Sequence, residues 1–231
     1  MNMYNIKENY ESRKHTWDEQ EEHYWSKERM KRAYAIEKDV YEYATKLIDG
    51  NQYKKILDLG CGYAVKWKNY RKGHVFITGC DYDERILKIN NEKFKDIRFM
   101  KLDIDAKNSE YEKYDMIIMA DVIEHLMHPD KALEYIYNSL NDEGIAIIST
   151  PERDIARGKD CTYSKKKEHV REWNYQEFET FITSMNFQIL KHEVVQYARF
   201  NILKNPILYL KRNVIYRKRY KSCQVVTIKK L

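Results

Sequence analysis

Two short stretches of the chain gather side chains that can take up a proton or hold a cation. Asp121-Val122-Ile123-Glu124-His125 places two carboxylates and an imidazole within one turn of chain. His169-Val170-Arg171-Glu172-Trp173 supplies a second imidazole beside an arginine. A hydroxyl is a poor acid, so using one as a nucleophile takes a base, a metal or both. His125 and His169 are the candidate catalytic imidazoles. Arg171 and Arg153 are candidates for an acceptor phosphate or carboxylate, although an ordinary surface position is the expectation for Arg153.

A third stretch, Asp58-Leu59-Gly60-Cys61-Gly62-Tyr63-Ala64, begins at the end of the apolar run KKILDL. Glycines here permit a tight strand-to-helix turn that brings backbone against a ligand. A dinucleotide fingerprint needs a third small residue where Val65 stands, and a carboxylate at Asp58 would oppose a pyrophosphate. A ligand with an ammonium, a sulfonium and no phosphate is favoured instead, which selects S-adenosylmethionine (SAM) over NAD. Asp81 ends the next apolar run and is placed for the ribose hydroxyls. Asp103 could accept from the adenine amino group, with Ile104 against the ring. Tyr82 and Ala120 complete the expected cofactor set with Gly60 and Gly62. Acids at four successive strand ends (Asp58, Asp81, Asp103, Asp121) are hard to explain without a ligand. Methyl transfer from a sulfonium to oxygen is an in-line displacement, so the protein must align the nucleophile and remove its proton.

Alternating elements must position these groups. The segment from about 17 to 48 lacks an internal Gly or Pro and repeats its aromatic and aliphatic residues at three-to-four spacing, which predicts helix. From Lys54 onward, KKILDL, VFITGCD, IRFMKL, YDMIIMAD and GIAIIST alternate with helical stretches, the pattern of a parallel sheet with right-handed crossovers. QILKHEVVQ and CQVVTIKK could close the sheet as an edge pair. Asn174 opens a capping box, N-Y-Q-E. Thr150 to Trp173 is a long connection, usually a functional loop in a compact domain.

LDLGCG, the aspartate after ITGC, LDI and DVIEHL resemble class I SAM-dependent methyltransferases over roughly residues 54–197. The likeness is to the ubiquinone-biosynthesis type and its relatives that act on sugars. It implies a Rossmann-like α/β fold: a seven-stranded, mostly parallel sheet with helices on both faces and an antiparallel last strand. Ala64 stands where many members have a third glycine. The catalytic stretches resemble the metal-dependent small-RNA 3′-terminal 2′-O-methyltransferases, with Glu-x-x-Glu-His followed far downstream by a histidine shortly before Glu-Trp. The resemblance implies Asp121, Glu124, His125 and His169 as ligands, Asp121 replacing a longer carboxylate. Such a set suits Mn, Fe, Co or Zn better than Mg, and the ion could chelate vicinal hydroxyls. An E-H pair also occurs in relatives without a metal, where the histidine is a base or orients the loop, so both readings stay open.

STPERDIARG followed by HVREW resembles methyltransferases that accompany glycosyltransferases in surface-polysaccharide and glycoprotein pathways. The implied acceptor is a sugar hydroxyl, free or nucleotide-, lipid- or protein-linked. RNA 2′-O-methylation and N- or O-methylation of another small molecule are the alternatives.

The whole 231-residue chain is 43% hydrophobic with net charge +6, the balance of a globular protein. Ten Lys/Arg and no acid fall in residues 199–231, so the basic character is C-terminal. There Arg217-Lys218-Arg219-Tyr220-Lys221 could meet RNA phosphates. FNILKNPILYLKRNVIYRKRY mixes aliphatics with cations as a peripheral membrane segment does. No signal peptide or transmembrane run is visible, and the four cysteines are scattered, so a cytoplasmic location, with peripheral contact at the inner membrane face, is expected. Residues 1–50 are expected to form a helical extension or lid, 51–231 the SAM-binding domain, and 198–222 a helical basic insertion before the last strand.

Overall fold

A computed structural model describes residues 3–14, 25–70, 73–106, 110–196, 206–215 and 221–231. The chain opens with helices α1 (Lys27–Ala33) and α2 (Lys38–Asn51). Strand β1 (Lys55–Leu59) and β2 (Phe76–Asp81) follow, then α3 (Glu84–Lys93), β3 (Arg98–Lys101) and β4 (Tyr114–Ala120). Next come α4 (Pro129–Ser139), β5 (Leu140–Pro151), the short α5 (Arg153–Arg157), α6 (Tyr175–Ser184) and β6 (Phe187–Val195). A short helix α7 (Pro206–Leu210) and β7 (Cys223–Lys230) end the chain.

The seven strands form one sheet in the order β3-β2-β1-β4-β5-β7-β6. β1 to β5 are parallel, and β7 runs antiparallel between β5 and β6. The mostly parallel Rossmann-like sheet and its antiparallel last strand therefore stand as expected. The expected closing pair also forms, with β6 outermost.

Alternation along the strands feeds two cores. Leu57, Ile117, Met119, Ala146 and Ile148 face α4 and α6, whereas Ile56, Met116, Ile118 and Ile147 face α2. α2 meets them with Val40, Tyr41, Ala44 and Ile48, one stripe at helical spacing. Each Val, Leu, Ile or Met among them, fully withdrawn from water, contributes roughly 1.5–3 kcal/mol. Burial on both faces is why the strands read as continuous apolar runs.

The predicted 17–48 helix is broken where it is described. It stops at Ala33 and restarts at Lys38, with Glu37 left-handed at φ 57°. Residues 15–24 lie outside the described residues. Residues 3–14, read as extension, join the main core: Ile6 and Tyr10 are buried, and the Trp173 indole donates to the Tyr4 carbonyl. The capping box at Asn174 forms with Glu177, as read. Of the basic insertion, residues 206–215 and 221–222 are described, with Ile207, Leu210, Val214 and Ile215 exposed. Arg217, Lys218, Arg219 and Tyr220 lie outside the described residues.

Candidate active site

The carboxyl ends of the parallel strands open into a cleft of about 310 Å³. After β1 the chain turns through Gly60 (φ 74°) and Gly62 (φ 48°). A Cβ on Gly60 would lie 2.6 Å from the Val122 side chain, and one on Gly62 2.4 Å from the Trp25 ring. Only glycine fits either position. Asp81 ends β2 inside the cleft, where its carboxylate accepts from the N–H groups of Gly62 and Asp83, both at 3.0 Å. Burial raises it to about 6 against those bonds. Tyr82, Asp103, Ile104 and Ala120 line the same cleft. We expect Asp81→Ala to weaken S-adenosylhomocysteine (SAH) binding by about 1–3 kcal/mol in calorimetry; unchanged affinity would remove Asp81 from the cofactor set.

Asp58 departs from its expected place. Its carboxylate does not line the cleft; it accepts from the Tyr41 hydroxyl at 2.9 Å and the Trp67 indole at 2.7 Å. Its strand position puts it one residue short of the turn, so it braces the cleft wall from behind. Burial raises it to about 6, and the Trp67, Lys66 and Tyr41 groups oppose that rise.

Further along the cleft, His125 and His169 meet although 44 residues separate them, with ring centroids 4.8 Å apart. The first lies in a single helical turn after β4 and the second in the loop after β5. The Nδ1 of His125 is 2.7 Å from the Glu168 carbonyl oxygen, which can only accept, so Nδ1 carries the proton. The Nδ1 of His169 is 2.6 Å from a Glu172 carboxylate oxygen. Glu172 also accepts from Arg157 and Ser164; despite burial, the bonds from His169 and Arg157 hold it down at about 2. Burial and the neighbouring His169 push His125 down to about 3, and burial lowers His169. Both shifts favour the neutral imidazole, and with Nδ1 engaged each ring turns Nε2 toward a ligand.

Glu124 completes the group. It is 1% exposed, accepts from the Thr150 hydroxyl at 3.0 Å and has a carboxylate oxygen 4.0 Å from the His125 Nε2. Ligand atoms of Glu124, His125 and His169 all lie within 4.8 Å of one another. Two imidazoles fixed through Nδ1 and one carboxylate are a donor set and outer shell that suit a divalent transition metal. Electrostatics agree: burial and the Asp121 charge raise Glu124 well above the usual carboxylate range, and burial and the Glu37 charge raise Asp121 to about 7. A cation beside these acids would relieve that cost.

Asp121 lines the cleft but lies outside the three-residue group. Left-handed at φ 52°, it accepts from the Ser149 hydroxyl at 2.9 Å, and its other oxygen has no hydrogen-bond partner. Its carboxylate is engaged by Ser149 and Cys223 instead. Arg171 is also not where a catalytic or anion-binding role would need it. Its guanidinium donates to the carbonyls of Leu126 and Met127 and lies 4.3 Å from the Tyr4 ring centroid, bracing the turn after His125. Arg153, expected at the surface, is 1% exposed and clasped by both oxygens of Glu177. The cleft also contains residues the sequence reading missed: Trp25, Arg29, Glu37, Lys66, Asp105 and Lys166. Lys66, four residues after the second glycine, had a positional signal; Glu37, inside an apparently continuous helix, had none.

The comparisons with known proteins agree with this geometry. The profile of a methyltransferase domain family matches residues 24–197. The ubiquinone biosynthesis O-methyltransferase of Pasteurella multocida is 24% identical over 127 residues, covering 49% of this chain and 52% of that one. A small RNA 2′-O-methyltransferase of Mus musculus is 26% identical over 162 residues, 62% of this chain and 41% of that one. The chain thus spans about half or less of the length of these relatives. Among solved structures, the methyltransferase domain of bacterial CtHen1-C superposes with TM-score 0.60 at 16% identity, covering 83% of this chain and 97% of that one. An O-methyltransferase from a Brevibacillus brevis polyketide multienzyme, in complex with SAH, gives 0.55 at 18% identity, covering 78% and 67%. A glycine turn against a buried aspartate, on a sheet of this order, accompanies a family match across most of the chain, and the protein belongs to the methyltransferase domain family.

Proposed function

We propose that the protein transfers the SAM methyl group to a sugar hydroxyl that has a second hydroxyl beside it, at a divalent metal site formed by Glu124, His125 and His169. The observation that carries this reading is the pair of imidazoles, each held through Nδ1, with Glu124 beside them in the cleft. A divalent ion held there by Glu124, His125 and His169 (Mn, Fe, Co or Zn before Mg) would supply Lewis acidity that lowers the pKa of a nearby hydroxyl. The chain's own part is orientation. Glu172 and the Glu168 carbonyl fix the ring tautomers, Thr150 fixes Glu124, and Arg171 fixes the turn after His125. The acceptor oxygen attacks the methyl carbon in line, the carbon–sulfur bond breaks with its electron pair to sulfur, and SAH leaves. The hydroxyl proton passes to a basic group or to solvent.

The carrier we propose for this sugar is a glycan, free or nucleotide-, lipid- or protein-linked. In support, the loop that resembles enzymes of glycan pathways is also the one that brings Lys166, Glu168 and His169 to the cleft. A second reading is the terminal ribose of an RNA. It is supported by the small RNA 2′-O-methyltransferase relatives and by the basic residues of the C-terminal segment. Labelled SAM offered with pooled nucleotide sugars, glycolipids, glycoproteins and RNA tests both. Label in a sugar fraction, prevented by prior periodate cleavage of vicinal diols, is the expected result. Periodate-sensitive label in RNA alone would move the carrier to RNA. Label that survives periodate in every fraction would overturn the diol.

A further inference from the structure

The cleft contains an ion pair to which no function has yet been assigned. Lys66, on the 3-10 turn that follows the glycine motif, bonds Glu37 at the head of α2. Both side chains are close to nine-tenths buried, and both line the cleft that holds Gly60, Gly62 and Asp121.

A surface pair would be unremarkable, but this one sits in an unusual setting. Glu37 adopts a left-handed backbone at φ 57°, which a residue with a side chain reaches only at some cost. That conformation breaks the predicted helix and brings the carboxylate to the cleft. Lys66 also lies 4.7 Å from the centroid of the Tyr41 ring, and Tyr41 is in turn held by Asp58. The charges of Asp58 and Asp121 act on the same ammonium. Burying two opposite charges rarely gains stability over an apolar pair, so a role toward a ligand is a better account of their retention at a cleft wall.

The cofactor's chemistry supplies that ligand. Beyond the sulfonium, SAM ends in an α-amino acid with one ammonium and one carboxylate. Asp81, Tyr82, Asp103 and Ile104 occupy the part of the cleft expected for adenosine, whereas Asp121 neighbours both Lys66 and Glu124 electrostatically. A sulfonium beside Asp121 would face the acceptor group and send its amino-acid arm toward Glu37 and Lys66. We propose that Glu37 and Lys66 form the subsite for the zwitterionic amino-acid end of SAM. The Lys66 ammonium takes the carboxylate and the Glu37 carboxylate takes the ammonium, making four alternating charges. The pair is thus pre-organised, each partner holding the other in place until the ligand inserts. This inference rests on the SAM reading.

Binding of SAH and of 5′-methylthioadenosine, which shares the adenosine and the sulfur but lacks the amino-acid arm, isolates the subsite. The wild-type protein is expected to prefer SAH. Lys66→Met alone leaves a buried carboxylate, so the double variant Glu37→Gln/Lys66→Met, which leaves no lone charge, is the informative one. Losing two charge-assisted bonds predicts a fall in SAH affinity of roughly 30-fold or more. Binding of 5′-methylthioadenosine should stay within about 3-fold. Unchanged SAH affinity in the double variant, or no wild-type preference for SAH, would overturn the proposal. So would a parallel loss of both ligands, which would make the pair a support of the whole pocket. A wild-type protein that binds neither compound would overturn the cofactor reading, and this subsite with it.

Discussion

Chelation of the purified protein is expected to abolish methyl transfer, and added Mn or Co to restore it. His125→Ala and His169→Ala should each lower turnover by about 100-fold or more, the scale for losing a positioned proton-transfer or metal-holding group. SAH affinity should change little, because neither imidazole belongs to the part of the cleft assigned to adenosine or the amino-acid arm. Glu172 separates orientation from ligation. It touches the His169 Nδ1 rather than the centre of the site, so Glu172→Gln should weaken metal affinity by roughly 10–100-fold, with activity recovering at high metal concentration. If chelators have no effect while each histidine variant still loses turnover, the imidazoles act as base alone. Full activity in both His→Ala variants would sink metal and base together.

The largest expected effect on stability lies outside the cleft. Arg153 is sealed under α6 with both terminal nitrogens on Glu177, and it also bonds Asp154. Glu177→Ala removes the main countercharge and opens the capping box of α6. Breaking a buried ion pair costs about 3–5 kcal/mol, and with Asp154 still offsetting part of the charge the lower end is expected, a fall in melting temperature on the order of 10 °C for a chain of this size. Thermal unfolding measures it. Replacing both partners by apolar residues, as in Arg153→Met/Glu177→Leu, should recover much of that loss. A Glu177→Ala protein that melts with the wild type would show that Arg153 finds water or another partner.

The legibility of this chain followed its physics. Strands buried on both faces, β1, β2, β4 and β5, announce themselves as short apolar runs, whereas β3 and β6 formed at the sheet edges with mostly half-buried or exposed residues. The Asn174 capping box is a local signal between neighbours in sequence, and it held. The meeting of His125 and His169, implied by the resemblance, agrees with the topology, since both come after parallel strands whose carboxyl ends share one edge. What misled were side-chain directions. Asp58 and Asp81 both end runs in the sequence, yet one points behind the wall and the other into the cleft. Arg171 drew attention, but its neighbour Glu172 is the residue that orients His169. Glu37 was hidden because a helix-compatible pattern carries no mark of a left-handed residue. Arg153 was hidden because its countercharge, Glu177, is distant in sequence and was read only as a cap.

The central claim is that Glu124, His125 and His169 hold a divalent ion beside the methyl donor. Anomalous diffraction from crystals of the SAH complex grown with Mn, at a concentration that supports turnover, tests it directly. The account predicts a single strong peak enclosed by the Glu124 carboxylate and the two Nε2 atoms, with the Nδ1 bonds to the Glu168 carbonyl and Glu172 intact. A map with no peak at that position, in crystals where SAH occupies the cleft, would contradict it.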